Sequence, residues 1–378
     1  MTSVSRFLTS RWGPVFTGLV AGVLAPVLVK LGNPGNMGIS VSCFSRDIAG
    51  ALGLSGEPRG QYIRPEIIGF VLGALIAALI FREFKPRTGS APLMRFLLGA
   101  IAAFGMLVFI GCPWRAYLRL AGGDWNAIFG ILGLVAGIGI GIVFLRRGFS
   151  LGRSHPAPKA LGWVLPIMMV TLLVLLLAKP QFGTDADGNP TGPIFFSTTP
   201  GVVGSEHAPI IISLVVALVI GFLAQRSRFC TVAAVRDMLW LRDSHLLNGL
   251  LAFIGAAFIT NLILGQFHPG FVISSTLGQP LAQTNEWWNF GSMVMAGLAL
   301  TLAGGCPARQ LFLSGEGDAD AAMFVIGMII GAGFAQNYSI ASCLCPTDSA
   351  MGAFGPAAVI AGLVICVIVG LVMREREA

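Results

Sequence analysis

The sequence predicts an all-α polytopic membrane protein built from an inverted-topology internal repeat. Only 11% of its 378 residues are charged and 55% are hydrophobic, whereas a soluble domain carries about 25% charged residues. Ten apolar stretches follow one another along the chain, and one short cysteine motif occurs twice at a fixed distance. Ten crossings of roughly 20 residues take up about half of such a chain, so no large soluble domain fits.

The ten stretches are predicted to be helices, because lipid offers no partner to backbone groups outside helices and closed barrels. They are too long and too little alternating for barrel strands. Several fall short of a full crossing and contain glycine, which is typical of broken or re-entrant helices. The stretches are 14–29, 66–81, 93–111, 126–145, 160–178, 209–224, 249–265, 288–304, 321–337 and 354–373.

The basic residues predict the orientation in the membrane. Residues 1–30 resemble a signal peptide, but no small-residue cleavage site precedes Lys30, so the first apolar run is expected to be a retained span. With a cytoplasmic N-terminus, 17 of the 24 Lys and Arg residues fall on the cytoplasmic side. The positive-inside rule therefore favours cytoplasmic N- and C-termini in a bacterial-type inner membrane.

Other classes of function find little support in the residues. The net charge of +7 is explained by cytoplasmic loops, so no nucleic-acid partner is expected. None of the four lysines follows a glycine, which excludes a Walker A motif and ATP-driven transport by this chain alone. The four histidines are scattered and no Cys-x-x-Cys pair occurs, so neither a metal site nor a cofactor is expected.

The repeat appears when the chain is shifted by 194 residues. The segment Gly-Cys-Pro-Trp-Arg at 111–115 then falls on Gly-Cys-Pro-Ala-Arg at 305–309, and the match continues through Asp124 and three glycines. At an offset of 187, Cys43 falls on Cys230, each followed by an Arg-Asp pair. The expected division is a first repeat with its connecting span at 1–178 and a second repeat at 179–378, within one transmembrane domain.

Because the span at 160–178 joins the halves, the second copy is predicted to be upside down relative to the first. Cys43 and Cys112 would then enter the membrane from outside, and Cys230 and Cys306 from the cytoplasm. Inverted repeats of this kind build transporters and channels, with the path near mid-membrane. A duplicated scaffold without a path stays open as an alternative.

The Gly-Cys-Pro-x-Arg segment suits an anion. Proline is favoured at the first position of a helix, which puts the cysteine at the N-cap, beside free N–H groups and the positive end of the dipole. Arginine in the first turn adds a charge that is costly in lipid unless it lines a polar path or is paired. The candidate pathway residues are Cys43, Cys112, Cys230, Cys306, Arg115, Arg309, Gly111, Gly305, Pro113 and Pro307.

The remaining cysteines are interpreted differently. Cys366 lies in the last apolar stretch and is expected to be a small buried hydrophobe. For Cys343 and Cys345, in a loop expected outside, metal binding, a disulfide and an inert role all stay open. The two Arg-Asp pairs are expected to fix their own segments rather than touch a solute.

The paired cysteine segments resemble the YeeE/YedE family of sulfur-transport membrane proteins. Within it, the segments at 30–38, 62–66 and 118–124 look like the YedE branch associated with selenium metabolism. The resemblance implies short re-entrant helices and uptake of thiosulfate or a related sulfur or selenium anion. It places the family's pathway cysteines on Cys43, Cys112 and Cys306, with Cys230 in the equivalent remaining segment. It also implies a small cytosolic sulfur-carrier partner of the TusA type.

Together these observations predict a transporter in which an anion passes Cys43, Cys112, Cys306 and Cys230 in turn. The thiols would be neutral and donate weak S–H hydrogen bonds, since a thiolate would repel the anion. The alternatives are a membrane thiol-redox or persulfide-transfer enzyme, and a receptor or assembly subunit that carries no flux.

Overall fold

The computed structural model describes residues 3–180, 183, 192–271, 281–344 and 350–374. These residues form helices joined by short loops, with two strands of two residues each, β1 (Arg87–Thr88) and β2 (His155–Pro156), which pair antiparallel. The helices are α1 (Ser3–Leu8), α2 (Gly13–Lys30), α3 (Val41–Ala51), α4 (Pro65–Ile80), α5 (Pro92–Val108), α6 (Pro113–Ala121), α7 (Asn126–Arg146), α8 (Lys159–Ala178), α9 (Ile210–Ser227), α10 (Thr231–Leu241), α11 (His245–Ile263), α12 (Glu286–Leu302), α13 (Pro307–Gly315), α14 (Ala319–Asn337) and α15 (Gly355–Val372).

Ten helical segments in the described residues are long and apolar enough to cross a membrane, and each coincides with one of the ten apolar stretches. The all-α polytopic fold is therefore confirmed. Three of the segments, Pro92–Ala121, Ile210–Leu241 and Glu286–Gly315, each join a long helix to a short one. A short helix of 9 residues extends for only about 14 Å, at 1.5 Å per residue, and cannot cross alone.

Helices of two lengths alternate in the same order in both halves. From α2 to α7 the order is long, short, long, long, short, long, and it recurs from α9 to α14. Helix α8 lies between the two series, and α15 follows the second. The four short helices, α3, α6, α10 and α13, are those that carry the cysteine segments or follow them directly.

The long helices of one half pack against those of the other in a reciprocal way. Helix α5 packs on α14 and α7 on α12, while α2 packs on α11 and α4 on α9. Gly133 lies against the backbone of Phe290, and Gly327, at an offset of 194, lies against Phe96, the counterpart of Phe290. A Cβ at either glycine would overlap the facing carbonyl, which explains why these positions are glycine.

Two loops also join one half to the other through backbone hydrogen bonds. Lys85 donates its backbone N–H to the Glu316 carbonyl at 2.9 Å, at the end of α13. His268 donates in the same way to Gly122 at 2.9 Å, at the end of α6. Each half therefore caps the second short helix of the other half. The inverted orientation in a membrane stays a prediction, which this reciprocity supports.

The equivalence of Cys43 and Cys230 at an offset of 187 is wrong. Helices α3 and α10 coincide at both ends at an offset of 190, which also superposes their Arg-Asp pairs. Cys230 then lies opposite Ser40, the N-cap of α3, whereas Cys43 lies inside its helix. The offset of 187 aligns the two cysteines, whereas the offset of 190 aligns the N-caps and both ends of the two helices.

Candidate functional site

The Gly-Cys-Pro-x-Arg segments begin the second short helix of each half. Cys112 is the N-cap of α6 and Cys306 that of α13, each with extended backbone and with proline at the first helical position. The predicted capping arrangement is therefore confirmed. A Cβ atom placed on Gly111 or Gly305 would lie 3.4 Å from the Cβ of the arginine four residues later. Glycine therefore leaves room for the chain to turn tightly before each helix.

The first cysteine pair joins α3 to α6. Cys112 Sγ accepts the backbone N–H of Val41 at 3.3 Å and lies 3.9 Å from Ser40 Oγ, so the first turn of α3 faces the cap of α6. Cys43, two residues further along α3, accepts a hydrogen bond from Arg115 Nη1 at 3.6 Å. Both cysteines are fully buried. We call Cys43 and Cys112 the first pair.

The second pair, Cys230 and Cys306, joins α10 to α13. Cys230 is itself an N-cap, and its Sγ accepts the N–H groups of Ala233 and Cys306, both at 3.4 Å. Cys306 Sγ accepts the N–H of Arg309 at 3.4 Å. Both thiols are free and buried.

The two arginines of the repeat have different partners. Arg309 Nη1 lies 3.5 Å from Glu316 Oε1. Arg115 donates instead to carbonyls, that of Ile110 and that of Leu281 at 3.0 Å, besides Cys43. Among the described residues no carboxylate lies within salt-bridge distance of Arg115. The first pair therefore has an uncompensated positive charge, which attracts an anion.

A cluster of charges lies at the end of α13. Glu316 lies 3.6 Å from Arg87 and 3.8 Å from Arg228, in addition to Arg309. Arg226 pairs with Glu83 at 2.7 Å. Burial raises the pKa of Glu83, but hydrogen bonds from Gln225 and Arg226 more than offset this, so the pKa lies below its ordinary value. Glu83 is therefore ionised at neutral pH.

Several buried polar atoms beside the cysteines have no hydrogen-bond partner among the described residues. Most of them are donors, and burying a donor without a partner is costly. A solute with several acceptor atoms, such as an oxyanion, could satisfy these donors. They are Ser42 Oγ, Trp114 Nε1, Arg115 Nε, Tyr117 Oη and Thr231 Oγ1.

An aromatic cluster surrounds the middle of the site. Trp114, which follows Cys112 and Pro113, has its ring 5.6 Å from that of Phe229, the neighbour of Cys230. Phe70, Phe253 and Phe312 complete the contacts of Trp114, with ring centroids 5.5 to 6.3 Å away. These apolar rings keep the interior between the two pairs poor in water and strengthen electrostatic contacts there.

Residues behind the resemblance to the selenium-associated branch form buried hydrogen bonds between distant segments. Arg64 Nε donates to Asp47 at 2.7 Å, and its Nη2 donates to the Val203 carbonyl at 2.7 Å. Asn33 links Glu66 to the N–H of Ala208, at 2.7 and 2.8 Å. These residues hold the segment before α9 against α3 and α4. Charged residues are rare in this apolar chain, so Arg64 and Glu66 at the start of an apolar stretch were the sequence signal of a buried polar network.

The remaining cysteine predictions have mixed outcomes. Cys366 is buried and free, as expected of a small hydrophobe. Of the three possibilities left open for Cys343, the structure shows the disulfide. Cys345 lies outside the described residues. The pairs Arg46–Asp47 and Arg236–Asp237 are ion pairs of 2.7 and 2.8 Å within their own helices, and Asp47 also pairs with Arg64 at 2.7 Å. In the described part of the chain no group of His, Cys, Asp and Glu side chains could hold a metal ion.

The fold and the site define a class, that of helical polytopic membrane proteins with paired cysteines in their interior. Residues 226–378 match the model of the family described as sulphur transport. The matched part of the chain contains Cys230 and Cys306, and the match supports the resemblance to YeeE/YedE proteins.

Two curated relatives match a shorter part of the chain. The fluoride-specific ion channel FluC 2 of Synechococcus sp. (strain CC9605) is 37% identical over 89 residues, which are 24% of this chain and 62% of that protein. FluC 2 of Parasynechococcus marenigrum (strain WH8102) is 38% identical over 91 residues, with the same shares covered. The chain thus spans less than two thirds of the length of these relatives.

Proposed function

We propose that this protein transports a sulfur- or selenium-containing anion, such as thiosulfate or a selenium oxyanion, across the membrane. The anion passes the first pair and then the second. The match of residues 226–378 to the sulphur transport family supports the class of substrate. The reciprocal packing of the two halves supports a path between them.

One observation carries the proposal: all four cysteine sulfurs already accept an N–H from the protein. Cys112 accepts from Val41, Cys43 from Arg115, and the second pair from backbone N–H groups of α10 and α13. A thiol whose sulfur accepts a hydrogen bond keeps its S–H for donation. Each pair therefore offers weak donors to a passing anion, and none of them need be an anion itself.

The order in which the anion meets the cysteines follows from the positions of the positive charges. Arg115 and the N-termini of α3 and α6 draw the anion to Cys43 and Cys112. At the second pair the anion meets Cys306 and then Cys230, and Arg309 shares its charge with Glu316. S–H donors are weak, so the anion is released as readily as it is bound, which conduction requires.

Flux through the purified full-length chain in proteoliposomes tests the proposal. Labelled thiosulfate, selenite and hydroselenide are supplied outside in turn, and internal label is counted against protein-free vesicles. The proposal expects saturable uptake of at least one of these anions. Binding without uptake would contradict it and favour a receptor or assembly subunit.

A membrane thiol-redox or persulfide-transfer enzyme is the second candidate, because Cys230 and Cys306 are free cysteines at the adjoining N-caps of α10 and α13. In a persulfide transfer, one cysteine thiolate attacks the outer sulfur of a donor persulfide, and the donor leaves as a thiol. This candidate predicts a covalent adduct on Cys230 or Cys306 during turnover, detectable by intact-mass spectrometry. Serine variants, which retain a hydrogen-bond donor, would then be inactive, whereas a transporter keeps partial flux with serine.

The fluoride-specific channels that match part of the chain justify a fluoride arm in the flux assay. A bare halide has no chalcogen atom for the thiols to contact. We expect fluoride uptake at the level of protein-free vesicles.

We further propose an inner-membrane location with both termini in the cytoplasm, supported by the distribution of basic residues. The cluster of Arg87, Arg226, Arg228, Glu83 and Glu316 would then lie at the cytoplasmic exit. A TusA-like carrier that receives the sulfur there is supported by the family resemblance. Co-purification of such a carrier with membranes containing this protein, lost on substitution of the exposed Arg228, would support that partnership.

A further inference from the structure

Trp114 lies at the centre of the aromatic cluster between the two pairs. It is the second residue of α6, two positions after Cys112, and it is fully buried. Its ring lies 5.6 Å from that of Phe229, which directly precedes Cys230, and 6.3 Å from that of Phe312 on α13. These ring contacts place Trp114 between the start of α6 and the two helices that the second pair caps.

The surrounding rings leave the indole N–H of Trp114 without a polar neighbour in the cluster. Phe70 contacts Phe312 at 5.7 Å between ring centroids. Phe229 contacts Phe253 at 6.5 Å, and Trp114 touches all four rings. Phenylalanine has no hydrogen-bonding atom in its side chain, and Nε1 of Trp114 has no hydrogen-bond partner in the described residues. Burying such a donor is costly, and an anion that passes the cluster could accept its hydrogen bond.

The second half has a small side chain at the equivalent position. At the offset of 194 that relates α6 to α13, Trp114 corresponds to Ala308, which is also fully buried. The repeat therefore keeps the cysteine, the proline and the arginine of this segment in both halves but the indole in the first half alone. Packing of the cluster by itself would accept phenylalanine at position 114, because the N–H gains nothing from its described neighbours.

We propose that Trp114 is a specificity-determining residue whose indole N–H donates a hydrogen bond to an oxygen of the anion between the two pairs. This inference rests on the proposed transport function and narrows its substrate class. An indole N–H is a stronger donor than a thiol and suits an oxygen acceptor, whereas the thiols suit a terminal sulfur or selenium. The positive edges of the surrounding rings are also compatible with a negative charge. The site therefore selects anions that carry both kinds of atom, such as thiosulfate, over hydrosulfide.

Uptake into proteoliposomes containing Trp114→Phe tests the inference, because this variant keeps an aromatic ring and removes the N–H. Rates are taken per folded protein, with uptake into protein-free vesicles subtracted. Losing a hydrogen bond to a charged group lowers a specific rate by about tenfold or more, so thiosulfate uptake at low concentration should fall by about that factor. Hydrosulfide uptake, at whatever level the wild type shows, should change by less than about twofold, because this anion offers no oxygen to the indole.

Trp163→Phe is the matched control. Trp163 lies on α8, outside both pairs, and its ring is 5.2 Å from that of Phe84 in the segment between α4 and α5. The variant thus also removes an indole N–H from a ring that packs on phenylalanine. We expect it to keep the wild-type uptake of both anions.

Tryptophan fluorescence in detergent supplies a measurement that is independent of flux. A hydrogen bond from the indole N–H to an anion alters the emission of that indole. Thiosulfate should therefore change the emission of the wild type and of Trp163→Phe, and leave that of Trp114→Phe unchanged.

Unchanged thiosulfate uptake by Trp114→Phe, an equal loss for both anions, or the same loss in Trp163→Phe would overturn the role of Trp114 while leaving transport intact. A thiosulfate effect on the emission of Trp114→Phe as large as in the wild type would do the same. Absence of thiosulfate and hydrosulfide uptake by the wild type itself would instead overturn the proposed function, and the inference with it.

Discussion

Cys306 donates its backbone N–H to Cys230 Sγ at 3.4 Å, so the N-termini of two short helices meet at a pair of sulfur atoms. In the first half the donor lies on the other helix, since Val41 of α3 donates its N–H to Cys112 Sγ at the start of α6. Free N–H groups and the positive ends of two helix dipoles thus converge at each pair. Cysteine is the N-cap residue of three of these four helices, and in α10 and α13 its sulfur accepts a backbone N–H of the first turn.

Alanine substitution at two glycines of α7 should change the stability of the protein by different amounts. A Cβ at Gly137 would overlap the Val294 carbonyl, whereas a Cβ at Gly139 meets no atom within 4 Å. Gly137→Ala should lower the free energy of unfolding by about 1–3 kcal/mol, since overpacking forces helices apart. Gly139→Ala should be neutral or stabilising, because alanine favours a helix by about 1 kcal/mol over glycine. Thermal unfolding in detergent measures both, and equal midpoints would contradict the packing account.

Removing the buried carboxylate of Glu316 should lower the stability of the protein. It is 2% exposed and lies near three arginines, including Arg309. Glu316→Gln leaves their charges uncompensated and should destabilise the protein by about 3–5 kcal/mol. Glu57→Gln is the control, because the 3.7 Å pair of Glu57 with Arg59 is solvent-exposed and should contribute less than about 1 kcal/mol. Similar losses in the two variants would show that the cluster at the end of α13 is not a tight ionic network.

The proposed orientation predicts labelling from one side only. Thr199 lies in a segment expected outside and Ser154 in one expected inside, and both are exposed. In intact spheroplasts a membrane-impermeant maleimide should label Thr199→Cys and spare Ser154→Cys until the membrane is permeabilised. The wild-type chain supplies the background. The opposite pattern would reverse the topology, and with it the direction in which the cysteines are met.

Much of this architecture was predictable because membrane constraints are simple. Lipid forces apolar segments into helices, so the ten spans could be located from hydropathy alone. Proline after cysteine fixed where α6 and α13 begin, since proline is tolerated at the first helical turn. The glycines shared by the two repeats lie at a helix contact in the case of Gly133 and Gly137, whereas Gly139 meets no neighbouring helix.

The remainder depends on contacts between distant segments. The register of α3 against α10 follows their caps, and the only sign of it in the sequence was the pair of Arg-Asp dipeptides, which superpose at the same offset of 190. The different partners of Arg115 and Arg309 arise from Glu316, whose counterpart by the repeat is Gly122.

The most direct test of the central claim, that the anion passes both pairs, is thiosulfate flux through Cys112→Ala and Cys306→Ala beside Cys366→Ala. Cys366 is a buried free thiol on α15 outside both pairs, so it controls for the loss of a cysteine as such. We predict that flux falls at least about tenfold in each of the first two variants, because each pair loses a donor to the anion, and stays at the wild-type rate in the third. Undiminished flux through a correctly folded Cys112→Ala or Cys306→Ala protein would contradict the claim.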